Sequence, residues 1–105
     1  MTTKRHEQVG LTDAQVLDMY YYMLLARKID ERQWLLNRAG KVPFVISCQG
    51  QEAAQVGAAF ALETDKDFLC PYYRDLGLVL VFGQTARDCM LSAFAKAEDP
   101  NSGGR

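Results

Sequence analysis

Hydrophobic and polar positions fall at helical spacing in four stretches of this chain and collapse into two short apolar runs between them. The first helix has a clear start. Thr12 and Gln15 form a capping box, Leu11 can staple onto Val16, and Asp13 puts negative charge where the helix dipole favours it. The pattern carries this helix to Ala39 and ends it at Gly40, a residue suited to a left-handed cap. From Val16 to Ala26 it is apolar on nearly every side, with Asp18 the exception. A helix apolar all round wants burial all round, which a chain this small can hardly supply. Part of that surface is therefore expected to meet another segment or another chain. The next turns, Arg27-Lys28-Ile29-Asp30-Glu31-Arg32, read as a solvated face whose ion pairs contribute about 0.2–0.5 kcal/mol each.

Pro43 blocks any continuation, and Phe44 to Cys48 is β-branched and aromatic enough for a short strand. Gln51 to Leu62 is an alanine-rich helix. Its Gly57 costs about 1 kcal/mol of propensity, so a close packing contact is expected there. After the polar loop Glu63 to Asp67, the run Phe68-Leu69-Cys70 fits one buried strand stopped by Pro71. A third helix opens at Arg74 or Asp75 and closes at Phe82 with Gly83 as its cap. Thr85 and Asp88 make a second capping box for a helix to about Ala97. Glu98 to Arg105 reads as a loop, so the chain is expected to be cut within a longer one. Residues 1–10 are polar and unpatterned, and a flexible leader is expected there.

Composition narrows the classes. The 105 residues are enough for one small domain, and the net charge of -1 gives no footprint for nucleic acid or an anionic membrane. No apolar run is long enough to span a bilayer and no apolar signal segment leads the chain, so a cytoplasmic protein is expected. Cys48, Cys70 and Cys89 form no CxxC, and buried, reduced thiols are expected. His6 is the one histidine. No nucleophile–histidine pair or histidine-based metal site can be assembled around it.

Two junctions carry candidate chemistry. Tyr72-Tyr73-Arg74-Asp75 places a forked cation at a helix start, which suits an anion. A structural ion pair of Arg74 with Asp75 or Glu52 is the simpler reading on residue types alone. Gly50-Gln51-Glu52 opens a helix with a glycine that either admits a ligand or makes a turn, and Glu52 reads first as a cap. Phe44, Ile46 and Ser47 can line a pocket, and core packing explains Phe44 and Ile46 as well. Neither a GxxxxGK nor a GxGxxG motif occurs.

Five motifs in order then point one way: Leu24 to Glu31 (LLARKIDE), Gly40 to Phe44 (GKVPF), Gly50 to Ala53 (GQEA), Tyr72 to Asp75 (YYRD) and Gly103-Gly104-Arg105. Over residues 11–105 the chain resembles the start of the alpha subunit of thiamine-diphosphate-dependent 2-oxo acid dehydrogenases, the E1 component. The flavour is that of the bacterial branched-chain type. Pyruvate and acetoin dehydrogenase alpha subunits share the motifs. A non-catalytic helical interaction module that kept this fold is the rival from another class.

The resemblance implies an α/β thiamine-diphosphate-binding fold in the full subunit. Residues 11–105 would form its incomplete N-terminal portion, mainly helical with one or two short strands. It implies oxidative decarboxylation of a 2-oxo acid, with acyl transfer to a lipoyl-bearing E2. It also implies an alpha2beta2 assembly with an E1 beta subunit. Tyr73 and Arg74 would contact the cofactor diphosphate, and Phe44 and Ser47 would lie on the substrate side. No catalytic residue or metal ligand is implied in this stretch. The family holds magnesium and diphosphate with a Gly-Asp-Gly and a later asparagine, and the sequence has no Gly-Asp-Gly. The isolated stretch is therefore expected to be inactive, not to bind cofactor measurably, and to self-associate or be marginally stable.

Overall fold

The structure, a computed structural model, describes residues 4–101; Gly103-Gly104-Arg105 and the first residues of the leader lie outside the described residues. A single 3-10 turn, Glu7–Val9, precedes four helices: α1 (Asp13–Arg38), α2 (Glu52–Phe60), α3 (Leu76–Val81) and α4 (Ala86–Ala93). The long α1 is the spine, and α2, α3 and α4 all pack against it.

Both expected capping boxes form. Thr12 accepts from the Gln15 N–H at 3.2 Å while Gln15 accepts from the Thr12 N–H at 2.9 Å. Thr85 and Asp88 repeat the exchange at 3.1 and 3.0 Å. Ahead of α1, the leader is tied back: Lys4 Nζ and His6 Nε2 meet the Asp13 carboxylate at 2.8 and 2.6 Å.

Three helices end in the same way. Lys41 N–H reaches back to Leu36 C=O, Gln84 to Val79, and Lys96 to Leu91, each around a residue with positive φ. This is the Schellman geometry. At α1 and α3 that residue is glycine, Gly40 and Gly83, where the sequence places it. At α4 it is Ala95, with φ 53°. The helix therefore stops at Ala93 rather than near Ala97. No glycine advertised the stop.

The strands expected at Phe44 to Cys48 and Phe68 to Cys70 do not form; no strand occurs among the described residues. The reason is in the hydrogen bonds. A strand needs a neighbouring backbone, but in the first segment side chains take that place. Asn37 donates to the Val42 C=O, Arg74 to the Ser47 C=O, and the Cys48 N–H donates to Asp30. Phe68 is 97% exposed, so the second run is not buried either.

The core is small: Ala26, Ile29, Cys48, Leu80 and Cys89, flanked by Tyr22, Leu25 and Leu76. The radius of gyration is 15.4 Å, against about 13 Å for a compact domain of this length. A slab of 53 × 31 × 18 Å leaves apolar surface open. Leu17, Tyr20, Tyr21 and Leu24 lie exposed along one face of α1, at helical spacing. Two further expectations change. Cys48 and Cys89 are buried, but Cys70 is exposed. The close helix contact falls at Gly77 on α3, where a Cβ would sit 3.1 Å from Gln55 Oε1 and 3.2 Å from Val56 Cγ2. Gly57 faces open space.

Candidate functional site

Arg74 sits in the turn before α3, and that turn is clamped from both sides. Gln55, buried on α2, donates its amide to the Arg74 C=O at 2.7 Å and accepts from the Gly77 N–H at 3.0 Å. The Asp75 carboxylate accepts from the Tyr72 N–H at 2.8 Å. The backbone that carries Arg74 is thus held before any ligand arrives.

Among the described residues the guanidinium has no acidic partner. Arg74 Nη1 donates to the Ser47 C=O at 2.9 Å, and the group stands 5.5 Å from the centre of the Tyr73 ring. The Tyr72 hydroxyl donates to the Tyr73 hydroxyl. That bond, with Arg74 close by, holds the Tyr73 phenol below the ordinary tyrosine range. Donating to Tyr73 pushes Tyr72 the other way. Both rings are more than half exposed. The ion pair that residue types favoured is absent, because each candidate carboxylate is engaged elsewhere. Asp75 caps the tyrosine turn, and Glu52 takes Arg27.

The Arg27–Glu52 pair closes at 2.6 Å, and the second Glu52 oxygen accepts from the Gly50 N–H at 2.8 Å. Burial alone would raise the Glu52 carboxyl. The Arg27 bond and the backbone N–H groups of Glu52 and Gly50 outweigh burial and hold it below its ordinary value. One turn along α1, Asp30 is 1% exposed. Its Oδ2 accepts from the Ser47 hydroxyl at 2.6 Å and the Cys48 N–H at 3.2 Å. Burial first, then the Asp30 and Glu52 charges, push the Cys48 thiol up to about 12. It is a proton-bearing core group, not a nucleophile.

A cleft of about 580 Å³ opens beside this turn, lined by Phe44, Tyr72, Tyr73, Leu76, Val79 and Cys89 among others. The structure therefore brings Phe44 and Tyr73 to one cavity. Ser47 joins Arg74 through its carbonyl, while its hydroxyl is committed to Asp30. Sequence reasoning missed Asp30, Gln55 and the Arg27–Glu52 pair. One signal existed: Asp30 falls four residues after Ala26 and next to Ile29, inside the buried stripe of α1 rather than opposite it.

The dehydrogenase E1 component family matches residues 20–105. The chain is 71% identical over 105 residues to the 2-oxoisovalerate dehydrogenase subunit alpha of Bacillus subtilis (strain 168), covering 100% of this chain and 32% of that relative. It is 39% identical over 82 residues to the 3-methyl-2-oxobutanoate dehydrogenase subunit alpha of Mycobacterium tuberculosis, covering 78% of this chain and 22% of the relative. It is 37% identical over 81 residues to the pyruvate dehydrogenase E1 component subunit alpha of Staphylococcus epidermidis, covering 77% and 22%. No solved structure matches the chain. The chain thus spans about a third or less of the length of these curated relatives. No helix among the described residues is long and apolar enough to cross a membrane. With a family match over residues 20–105 and identity across its whole length, this chain belongs to the dehydrogenase E1 component family.

Proposed function

We propose that residues 11–105 are the N-terminal portion of the alpha subunit of a branched-chain 2-oxo acid dehydrogenase E1. The observation that carries this reading is Arg74. It is a half-buried cation on a pre-clamped turn, with no carboxylate within ion-pair reach among the described residues. A forked donor held open in this way suits a diphosphate. Tyr73, with a hydroxyl made more willing to donate by Tyr72, stands beside it. Tyr73 and Arg74 would grip the diphosphate of thiamine diphosphate, the group that supplies carbanion stabilisation when bound. Magnesium would be held by residues other than these.

Phe44, in the same cleft as Tyr73, would face the substrate side. Ser47 shares that segment, and its hydroxyl belongs to Asp30, so the Phe44 ring is the part free to meet a 2-oxo acid. The higher identity to a 2-oxoisovalerate enzyme than to a pyruvate enzyme favours a branched substrate. The α/β fold of the full subunit, the E1 beta subunit of an alpha2beta2 assembly and a lipoyl-bearing E2 complete the proposal. The cytoplasm is its place.

The test is turnover. The full-length subunit, assembled with its beta partner, is supplied with thiamine diphosphate, magnesium and either 2-oxoisovalerate or pyruvate. Preferential decarboxylation of 2-oxoisovalerate is expected, and Arg74→Ala should need far more cofactor for the same rate. Absence of turnover on any 2-oxo acid would leave the helical interaction module as the better account.

A further inference from the structure

Two groups hold opposite edges of one peptide unit. The Ser47 C=O and the Cys48 N–H belong to the same planar amide, and no cis peptide occurs among the described residues. In a trans amide these two groups point in opposite directions. Arg74 Nη1 donates to the carbonyl at 2.9 Å, and Asp30 Oδ2 accepts from the N–H at 3.2 Å. The Ser47 hydroxyl adds a second bond to the same Asp30 oxygen at 2.6 Å. Asp30 comes from the middle of α1, while Arg74 comes from the turn before α3.

From this we infer that Asp30 is a positioning residue for Arg74, acting through the Ser47–Cys48 peptide; the inference rests on the diphosphate reading above. The physics is that of a lever. An amide plane in an irregular segment can rotate unless its N–H or C=O is held. Asp30 fixes the N–H, so the carbonyl is aimed at the guanidinium. Without Asp30 the amide can turn, and Arg74 loses the contact that sets its fork.

All the protein contacts of Asp30 fall on Oδ2; Oδ1 is buried with no hydrogen-bond partner. This makes a sharp distinction between variants. Asparagine can place its carbonyl oxygen where Oδ2 stands and keep both bonds. Alanine keeps neither.

The experiment is a calorimetric titration of thiamine diphosphate, with magnesium present, into the full-length subunit assembled with its partner. Arg74→Ala is expected to weaken binding by about 30-fold and Asp30→Ala by about 10-fold, in the range of hydrogen bonds to charged groups. Asp30→Asn should stay within about twofold of wild type. The double variant should bind about as weakly as Arg74→Ala alone, because Asp30 acts only through Arg74. Ser47→Ala, which keeps the peptide but removes one anchor, should lose about threefold, and that loss too should vanish in the Arg74→Ala background. It carries the test if Asp30→Ala does not fold. Multiplicative losses in the double variants, or Asp30→Asn as weak as Asp30→Ala, would overturn the positioning role and leave the diphosphate reading standing. Unchanged binding by Arg74→Ala would instead remove the diphosphate reading itself.

Discussion

Each half of α1 departs at particular residues from the role that its composition assigns it. The N-terminal half carries Leu17, Tyr20, Tyr21 and Leu24, all apolar or aromatic and all exposed. The C-terminal half exposes Lys28, Glu31 and Arg32, as its composition predicts, yet it holds the core residues Ala26 and Ile29 and one carboxylate, Asp30, that is almost fully buried. The difference teaches that a helix face is buried by what stands opposite it, not by its own hydrophobicity. Opposite the charged half lie α2, with Glu52, and the segment 42–48, whose free backbone groups need partners. On the apolar half Tyr22 packs against Phe60 of α2, but among the described residues nothing covers the face of Leu17, Tyr20, Tyr21 and Leu24.

The largest test of this comparison is truncation within each half. Ile29→Ala should cost about 3 kcal/mol of unfolding free energy, as core truncations do. Leu17→Ala should stay within about 0.5 kcal/mol. Denaturant midpoints of the two variants measure the contrast directly. The apolar half then has its own readout. Leu17→Lys with Leu24→Lys should leave unfolding unchanged and shift the isolated chain toward monomer in sedimentation velocity. A wild-type chain that is already a clean monomer, melting in one cooperative step, would argue against an assembly role for that face.

Gly77→Ala comes next, with a cost of about 1–3 kcal/mol. The added methyl would press on Gln55, which cannot yield without dropping its bonds to Arg74 and Gly77. Thermal unfolding checks it. Gly57→Ala, facing open space, should instead stabilise by about 0.4–1 kcal/mol.

The Arg27–Glu52 pair adds a pH dependence. The folded carboxyl lies below its ordinary value of 4.5. Its stabilisation is therefore whole above that value and drains away as pH falls through the folded one. Glu52→Gln should flatten this acid limb in unfolding curves taken across the carboxylate range. At the other end, the Cys48 and Cys89 thiols are pushed up to about 12 and 11. At mildly alkaline pH an alkylating reagent should label Cys70 and spare both buried thiols until the chain unfolds.

The smallest expected effect is a gain. Ala95 holds a left-handed conformation that glycine adopts freely. Ala95→Gly should stabilise by up to about 1 kcal/mol, visible as a small rise in melting temperature.

Local chemistry was legible in the residues; partners were not. Thr12–Gln15 and Thr85–Asp88 announce helix starts because the bonds that define them lie within one turn. Gly40 and Gly83 announce stops for the same reason. Ala95 makes the same stop without the usual residue, so α4 looked longer than it is. Phe44 to Cys48 has strand composition, but its backbone is satisfied by Asn37, Asp30 and Arg74, residues up to one helix away in space. The same holds for the candidate site. The YYRD turn stood out as an anion-binding pattern. That Arg74 meets no carboxylate among the described residues follows only from where Glu52 and Asp75 turn, which no spacing reveals.

The burial of Asp30 within the charged half of α1 is the central claim, and its own variants test it most directly. Equilibrium unfolding of Asp30→Ala beside Asp30→Asn should show a loss of about 3 kcal/mol for alanine, which strands the Ser47 hydroxyl and the Cys48 N–H. Asparagine should lose less, about 1–2 kcal/mol, because it keeps both bonds but buries its amide donors where Oδ1 has no hydrogen-bond partner. Equal stability of wild type and both variants would contradict the account, for it is the behaviour of a solvated charge on the outer face of the helix.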